Sequence, residues 1–376
     1  MNEEQKRAIE YNQGPLLIIA GPGTGKTFVI VEKIKYLINK DFAKPEEILA
    51  LTFTEKAALE MEERLDKELP YGYFQMWIST FHSFAQKILK EEGNQIGLPL
   101  NFRLITTAEA VMFLRKNLFL FNLDYYRPLG NPEKFIESLI DHFSRLKEEN
   151  ITPEYYLKWV KNRKPKTEEE IIETKKNKEL AEAFSLYQKL KLKEGLLDFS
   201  DLVYYLFFLF KNRPNILKKY QKQFKSVLID EFQDTNIVQY DLVKILFPQK
   251  SNPYLTVVGD DSQAIYKFRG ASVSNILNFM RDYPQAKLIS LIKNYRSNQT
   301  ILDASYRLIK HNDPDTLEAK LNISKNLIAQ RKKDNKYSIN FYLTYKVEEE
   351  ADFVAKKIFS LKEKYSFSDF ALLIRA

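Results

Sequence analysis

No cysteine occurs in the 376 residues, which excludes disulfides, thiolate-bound zinc and iron–sulfur clusters within this chain. Histidine is nearly as scarce. The three present, His82, His142 and His311, do not lead one to expect a multi-histidine metal site. Long apolar runs are also missing: the longest, Leu202 to Phe210, falls far short of the roughly 20 residues that span a bilayer. No signal peptide precedes the first strand, so a cytosolic location and no membrane partner are expected. Glycine is sparse while Lys, Ile, Asn, Phe and Tyr are abundant, a drift that a biased genome produces without selection for binding. The net charge of +8 therefore suits a polyanionic partner without requiring one. The basic clusters Lys161-Asn162-Arg163-Lys164 and Arg331-Lys332-Lys333 read as solvated loops as readily as binding sites. The length itself allows two or more domains with substantial cores.

What the chain does have is LLIIAGPGTGKT, Leu16 to Thr27. The apolar run Leu16 to Ala20 reads as a buried strand. Gly21, Gly23 and Gly25, with Thr24 among them, allow a tight turn, and Lys26, Thr27 and Phe28 open a helix. Strand, small-residue loop and helix together make a phosphate-binding P-loop, in which backbone N–H groups curl around the anion. Lys26 can reach the terminal phosphates of a nucleotide and the Thr27 hydroxyl can hold Mg²⁺. Ala20 stands where the pattern begins with glycine, and is small enough for the turn.

Further along, Ile48 to Phe53 is a second buried strand, followed by a helix with Ala57, Met61 and Leu65 on one face. Met76 to Thr80 is a third, ending in Thr80-Phe81-His82-Ser83. This alternation predicts an α/β fold with a doubly wound parallel sheet. From about Ala85 to Leu196 the periodicity turns helical, with Phe113, Leu114 and Leu118, then Phe135, Leu139 and Phe143, then Leu180, Phe184 and Tyr187. A helical insertion is expected there, with residues 161–170 an exposed charged loop. Val227 to Glu231 restores the sheet and sets Asp230 and Glu231 at its carboxyl edge, one to hold Mg²⁺ and the other to deprotonate water. Phe232-Gln233-Asp234-Thr235 starts a helix. Leu255 to Gly259 is another strand, and the loop after it gathers Gln263, Tyr266, Phe268 and Arg269. Two readings fit its aromatics: stacking faces for single-stranded bases beside positive charge, or core residues. Leu288 to Leu291 leads into Lys293-Asn294-Tyr295-Arg296-Ser297. A helix, a strand (Ser338 to Leu343), a helix (Val347 to Leu361) and a strand (Phe370 to Ile374) follow.

Taken together, NEEQ, AGPGTGKT, LTFTEKAALEM, WISTFHSF, LDFSDL, LIDEFQDTN, VVGDDSQAIYKFRGA and NYRS occur in an order that resembles the first half of a UvrD/Rep/PcrA-type superfamily 1 DNA helicase. The resemblance spans essentially the whole chain. It implies a RecA-like P-loop NTPase fold whose first domain comprises residues 1–86 and 197–279. A helical insertion would occupy 87–196, and part of a second RecA-like domain 280–376. It implies ATP and Mg²⁺ as cofactors, single-stranded and partly duplex DNA as partners, and 3′-to-5′ translocation with unwinding in repair or replication. By the same resemblance Gln5 recognises adenine and Tyr295 stacks on it. Lys26 and Thr27 serve phosphates and metal, with Asp230 the second metal contact and Glu231 the base. Gln263 senses the γ-phosphate, and Arg296 acts as an arginine finger. Phe53, Thr80, His82, Tyr266, Phe268 and Arg269 line the strand's path. Two positions depart from the family: Ala264 where serine is usual, and Phe268 where tryptophan is. The family's later motifs are not found before Ala376, which suggests an amino-terminal portion of a longer protein. A helicase–nuclease motor arm and a non-catalytic nucleotide- and DNA-binding fragment are the alternatives.

Overall fold

Strands buried on both faces set the architecture. The computed structural model of the chain describes residues 1–67, 76–265, 273–331 and 339–374. Helix α1 (Glu3–Glu10) is opened by a reciprocal cap, the Asn2 side chain on the Gln5 N–H and Gln5 back on the Asn2 N–H. β1 (Leu16–Ala20) and α2 (Lys26–Asn39) flank the glycine loop. β2 (Ile48–Thr52), α3 (Glu55–Asp66), β3 (Trp77–Thr80) and α4 (Phe81–Glu92) follow. Leu17, Ile19, Leu49 and Leu51 enter one core with Phe81 and Phe84, while Leu16, Ile18, Ile48 and Ala50 enter another with Val29, Ile34 and Met61. A strand covered on both faces is apolar at every position, hence the unbroken LLIIA and ILALT.

The helical segment comes next. β4 (Arg103–Ile105), α5 (Thr107–Asn117), α6 (Ile136–Glu148), α7 (Pro153–Lys161), α8 (Glu168–Lys193) and β5 (Leu196–Asp198) have their own core, where Phe113, Phe143, Phe184 and Tyr187 meet. β4 and β5 pair in parallel at the segment's two ends. The helical spacing in the sequence is the spacing of this core.

The chain then returns through α9 (Phe199–Asn212) and α10 (Pro214–Gln223) to β6 (Ser226–Ile229), α11 (Ile237–Leu246), β7 (Tyr254–Gly259), α12 (Val273–Asp282) and β8 (Lys287–Leu291). The helix expected at Phe232 is a single 3₁₀ turn, Phe232–Asp234, ahead of α11. The sheet order is β3-β2-β6-β7-β1-β8, all parallel, so the loops after β6, β7 and β1 emerge side by side.

Two expectations need correcting. The strand at 287–291, assigned to the second domain, belongs to the first sheet. It pairs with β1 from Leu16↔Lys287 to Ala20↔Leu291, and Ile289 and Leu291 bury beside β1. Beyond it lie β9 (Lys293–Asn294), α13 (Gln299–Ile309), α14 (Leu317–Leu321), β10 (Ile328–Ala329) and α15 (Val347–Leu361), with β9 and β10 paired in parallel. The strands expected over 338–343 and 370–374 do not form among the described residues. Phe341, Leu343 and Leu373 are 87%, 81% and 94% exposed, and without a neighbouring ladder an apolar run does not become a strand. No helix among the described residues is long and apolar enough to cross a membrane.

Candidate nucleotide-binding site

The loop between β1 and α2 is shaped by backbone that only glycine adopts cheaply. Gly23 and Gly25 have φ of 73° and 89°. A Cβ on Gly23 would sit 2.6 Å from the Arg296 Cβ and 2.8 Å from Asn294 Nδ2, so the turn after β9 packs directly on the loop. That turn is fastened there. Asn294 Nδ2 donates to Pro22 O at 2.6 Å, and the Tyr295 N–H to Gly23 O at 2.9 Å. Asn294 Oδ1 accepts from the Arg296 and Ser297 N–H groups at 2.9 and 2.7 Å. Tyr295 and Arg296 are exposed beside the loop, while Asn294 is fully buried beneath them.

Gln5 approaches from the other side. Its Nε2 donates to Thr24 O at 3.0 Å, and a Cβ on Gly25 would lie 3.0 Å from that nitrogen. Its Oε1 accepts from Asn2 N, and Asn2 Nδ2 donates to the Tyr295 hydroxyl at 3.0 Å. One amide hydrogen and one oxygen lone pair of Gln5 remain beyond these bonds, a donor and an acceptor of the kind that can pair with an adenine N7 and N6 amine. Lys26 and Thr27 begin α2, half-buried, and Phe28 is exposed one residue on.

Across the loop stand the acids. Glu231 leaves β6 with φ of 48°, a left-handed backbone rare outside glycine. Its Oε2 pairs with Lys26 Nζ at 2.6 Å, and Lys26 also donates to Gln263 Oε1 at 3.2 Å. Gln263 Nε2 donates to Asp260 Oδ2 at 2.8 Å. Gln233 Nε2 donates to Glu231 and Asp234, and Gln233 Oε1 accepts from Asp260 N. Burial, then the Glu231 charge, pushes the Asp230 carboxyl up to about 6, and the same causes raise Asp234 to about 6. Asp234 Oδ1 is buried without a hydrogen-bond partner. Three carboxylates facing one lysine leave negative charge that a hydrated divalent cation fits, since Mg²⁺ takes one or two protein oxygens and keeps water and phosphate for the rest.

Lys325, after α14, reaches this network from outside the first sheet's strands. Its Nζ meets Asp260 and Asp261 at 2.5 Å each and Ser262 Oγ at 2.6 Å. Burial opposes its charge, yet the two carboxylates hold it above the usual lysine range. An apolar cavity of about 440 Å³ lies beside the loop, lined by Gly21, Pro22, Gln263, Arg296, Tyr306 and Leu327. It does not include Lys26, Thr27 or Glu231, so it borders the phosphate cradle rather than forming it.

The structure thus brings together Gln5, Gly21, Gly23, Thr24, Gly25, Lys26, Asp230, Glu231, Gln263, Tyr295 and Arg296. Gln233 and Asn294 were not singled out from the sequence, although both lie inside motifs that were, DEFQD and NYRS. Lys325 gave no signal. The residues expected to line the DNA form a separate set. Thr52 pairs with Thr80 across β2 and β3, so Phe53 and His82 leave the same edge of the sheet. Thr80 is 4% exposed and gives its hydroxyl to Glu55 at 2.8 Å. Burial pushes His82 below its usual value while Glu55 pulls the other way, and its ring meets Phe199 edge-on. Tyr266, Phe268 and Arg269 lie outside the described residues.

Comparison with known proteins bears on the family of the chain. Residues 1–284 match the UvrD/REP helicase N-terminal domain and residues 289–376 the UvrD-like helicase C-terminal domain. The chain is 36% identical over 380 residues to the ATP-dependent DNA helicase PcrA of Leuconostoc citreum, and 38% over 378 to that of Bacillus subtilis (strain 168). It is 37% identical over 376 residues to PcrA of Staphylococcus aureus (strain Mu50 / ATCC 700699). All of this chain is covered each time, but only 47%, 47% and 48% of the relatives, so it spans about half their length. The RecA-like P-loop fold, the shared motifs and the matched domains make the chain a member of the UvrD/REP helicase family.

Proposed function

We propose that the protein is an ATP-driven motor that moves 3′ to 5′ along single-stranded DNA and unwinds duplex ahead of it, in DNA repair or replication in the cytoplasm. The observation that supports the ATP-driven part of this reading is the meeting of Lys26, Glu231 and Gln263 in one hydrogen-bonded set, with Arg296 packed on Gly23. Lys26 and the loop amides would hold the β- and γ-phosphates, and Glu231 would take a proton from the attacking water. Thr27 and Asp230 would hold Mg²⁺, which supplies charge neutralisation at the phosphates. Arg296 would stabilise charge on the transferred phosphoryl group, as an arginine supplied in cis. Gln5 and Tyr295 would seat the base. Phe53, Thr80, His82, Tyr266, Phe268 and Arg269 would line the DNA, read through backbone charge and stacking with little sequence preference. The sequence segments 1–86 with 197–279, 87–196 and 280–376 would act as ATPase, insertion and second lobe, with β8 contributed to the first sheet.

Steady-state hydrolysis tests the assignment. Lys26→Ala should leave almost no turnover, whereas Glu231→Gln should keep ATP binding and lose roughly 10²-fold or more in rate, as removal of a general base does. A Glu231→Gln protein that hydrolyses at the normal rate would falsify the assignment of the base.

A further inference from the structure

Lys33 is a buried cation that the nucleotide site does not use. It lies on α2, about two turns beyond Lys26, and is 3% exposed. Its Nζ donates to three backbone oxygens at the carboxyl end of α1: Ala8 O at 3.0 Å, Ile9 O at 3.3 Å and Tyr11 O at 2.5 Å. A helix leaves its last carbonyls without partners and carries partial negative charge there, so a lysine at this point satisfies both. Burial pulls the Lys33 ammonium down to about 7, and the three carbonyls favour its charged form.

The consequence reaches Gln5. α1 is a short helix, and Gln5 sits about one turn before Ala8, roughly 4.5 Å along its axis. At its amino end α1 is held by the bonds Gln5 and Asn2 make to Thr24 O and the Tyr295 hydroxyl. Base and phosphates are read from different helices, Gln5 from α1 and Lys26 from α2, and Lys33 bolts the first to the second. We infer that Lys33 is a positioning residue that sets the height of α1 on α2 and thereby the selectivity of the site for adenine over guanine. Guanine places a carbonyl where adenine places its amine. A carboxamide held in register discriminates the two, and one free to slide does not.

This rests on the adenine reading of Gln5, and one set of binding measurements separates the two ideas. Dissociation constants are taken for a non-hydrolysable ATP analogue, its GTP counterpart and inorganic tripolyphosphate, each with Mg²⁺. The unaltered chain should prefer adenine by about tenfold or more, as a bidentate base contact does. Gln5→Ala should abolish that preference. Lys33→Met should lower it roughly fivefold or more, because small misplacements of a binding group are costly. Tripolyphosphate affinity should stay within about twofold, since α2 still carries the phosphate loop. Lys33→Arg, which keeps charge and donors, should recover most of the preference. Should the Met variant not fold by circular dichroism, Lys33→Gln takes its place with the same expectation. A folded Met or Gln variant with intact adenine preference overturns the inference about Lys33 and leaves that about Gln5 standing. No preference in the unaltered chain overturns both. Unfolding of every neutral variant makes Lys33 a requirement of the fold and likewise overturns the inference.

Discussion

Asn294 shows how much a single buried amide can organise. Its oxygen takes the N–H groups of Arg296 and Ser297 and its nitrogen holds Pro22 O, so it fixes both the turn that presents Arg296 and the loop beneath it. Asn294→Ala leaves these backbone groups without their partner in a buried place, at a cost of about 1–3 kcal/mol. Arg296→Ala removes an exposed side chain and should leave stability nearly unchanged. Both variants should hydrolyse ATP slowly, but only the Asn294 variant should also shift its urea midpoint. An Asn294→Ala protein with normal midpoint and normal rate would contradict this division of labour. Lys26, Glu231 and Arg296 were legible in the sequence because their chemistry is tied to short motifs. Gln233, Asn294 and Lys325 were not, because their partners are amides and carboxylates that only the folded chain brings near. Asp260 and Lys325, for example, meet through an ion pair that no local pattern announces.

Among the elements, the joint between the helical segment and the first sheet's helices is built from charge. Lys147 on α6 and Lys191 on α8 face Asp198, at the end of β5, and Asp201, on α9. All four are buried, with Lys147 donating to Asp198 at 2.6 Å and to Asp201 at 2.9 Å, and Lys191 bonding both acids. Gln188 also donates to Asp201, at 3.3 Å. Although burial opposes the charge, the two lysines hold the Asp198 carboxyl well below the usual carboxylate range. Its contribution to stability is therefore present above the ordinary carboxylate pKa and lost only as pH falls through the depressed value. Asp201→Asn leaves two buried lysines against one carboxylate, and breaking a buried ion network in this way costs about 3–5 kcal/mol. Urea unfolding should register that loss, and a midpoint within error of the unaltered protein would show the network to be dispensable. Element type was legible wherever periodicity and packing agree, as along α5, α6 and α8. It was misread at 338–343 and 370–374, where an apolar run suggests a strand but none forms among the described residues. The motif LDFSDL was visible too, but only as one of the stretches that carry the resemblance. Its two acids have partners more than fifty residues away on α6, as Lys147 and Asp201 illustrate.

At the scale of the whole molecule, the candidate nucleotide site and the segment after β8 are joined by one chain of contacts. Lys26 donates to Gln263, Gln263 to Asp260, and Asp260 pairs with Lys325, which also holds Asp261. The Leu317 N–H, at the start of α14, donates to Asp261 as well, at 2.8 Å. The loop after β7 is therefore gripped on one side by the phosphate-loop lysine and on the other by a lysine 64 residues beyond Asp261. Such a loop can register phosphate at Gln263 and pass the change along the backbone to Tyr266, Phe268 and Arg269, the residues proposed to meet DNA. Coupling needs an element that both sites bias, not proximity alone. If this loop is that element, Gln263→Ala should leave affinity for single strands near normal while hydrolysis no longer responds to them. Lys325→Met should weaken the same response from the opposite side, and should also destabilise the fold, because Asp260 and Asp261 then keep buried charge without a cation. Hydrolysis rates measured with and without single-stranded DNA, alongside DNA titrations, distinguish coupling from binding. Full stimulation by DNA in the Gln263→Ala protein would place the communication between the two sites somewhere other than this loop.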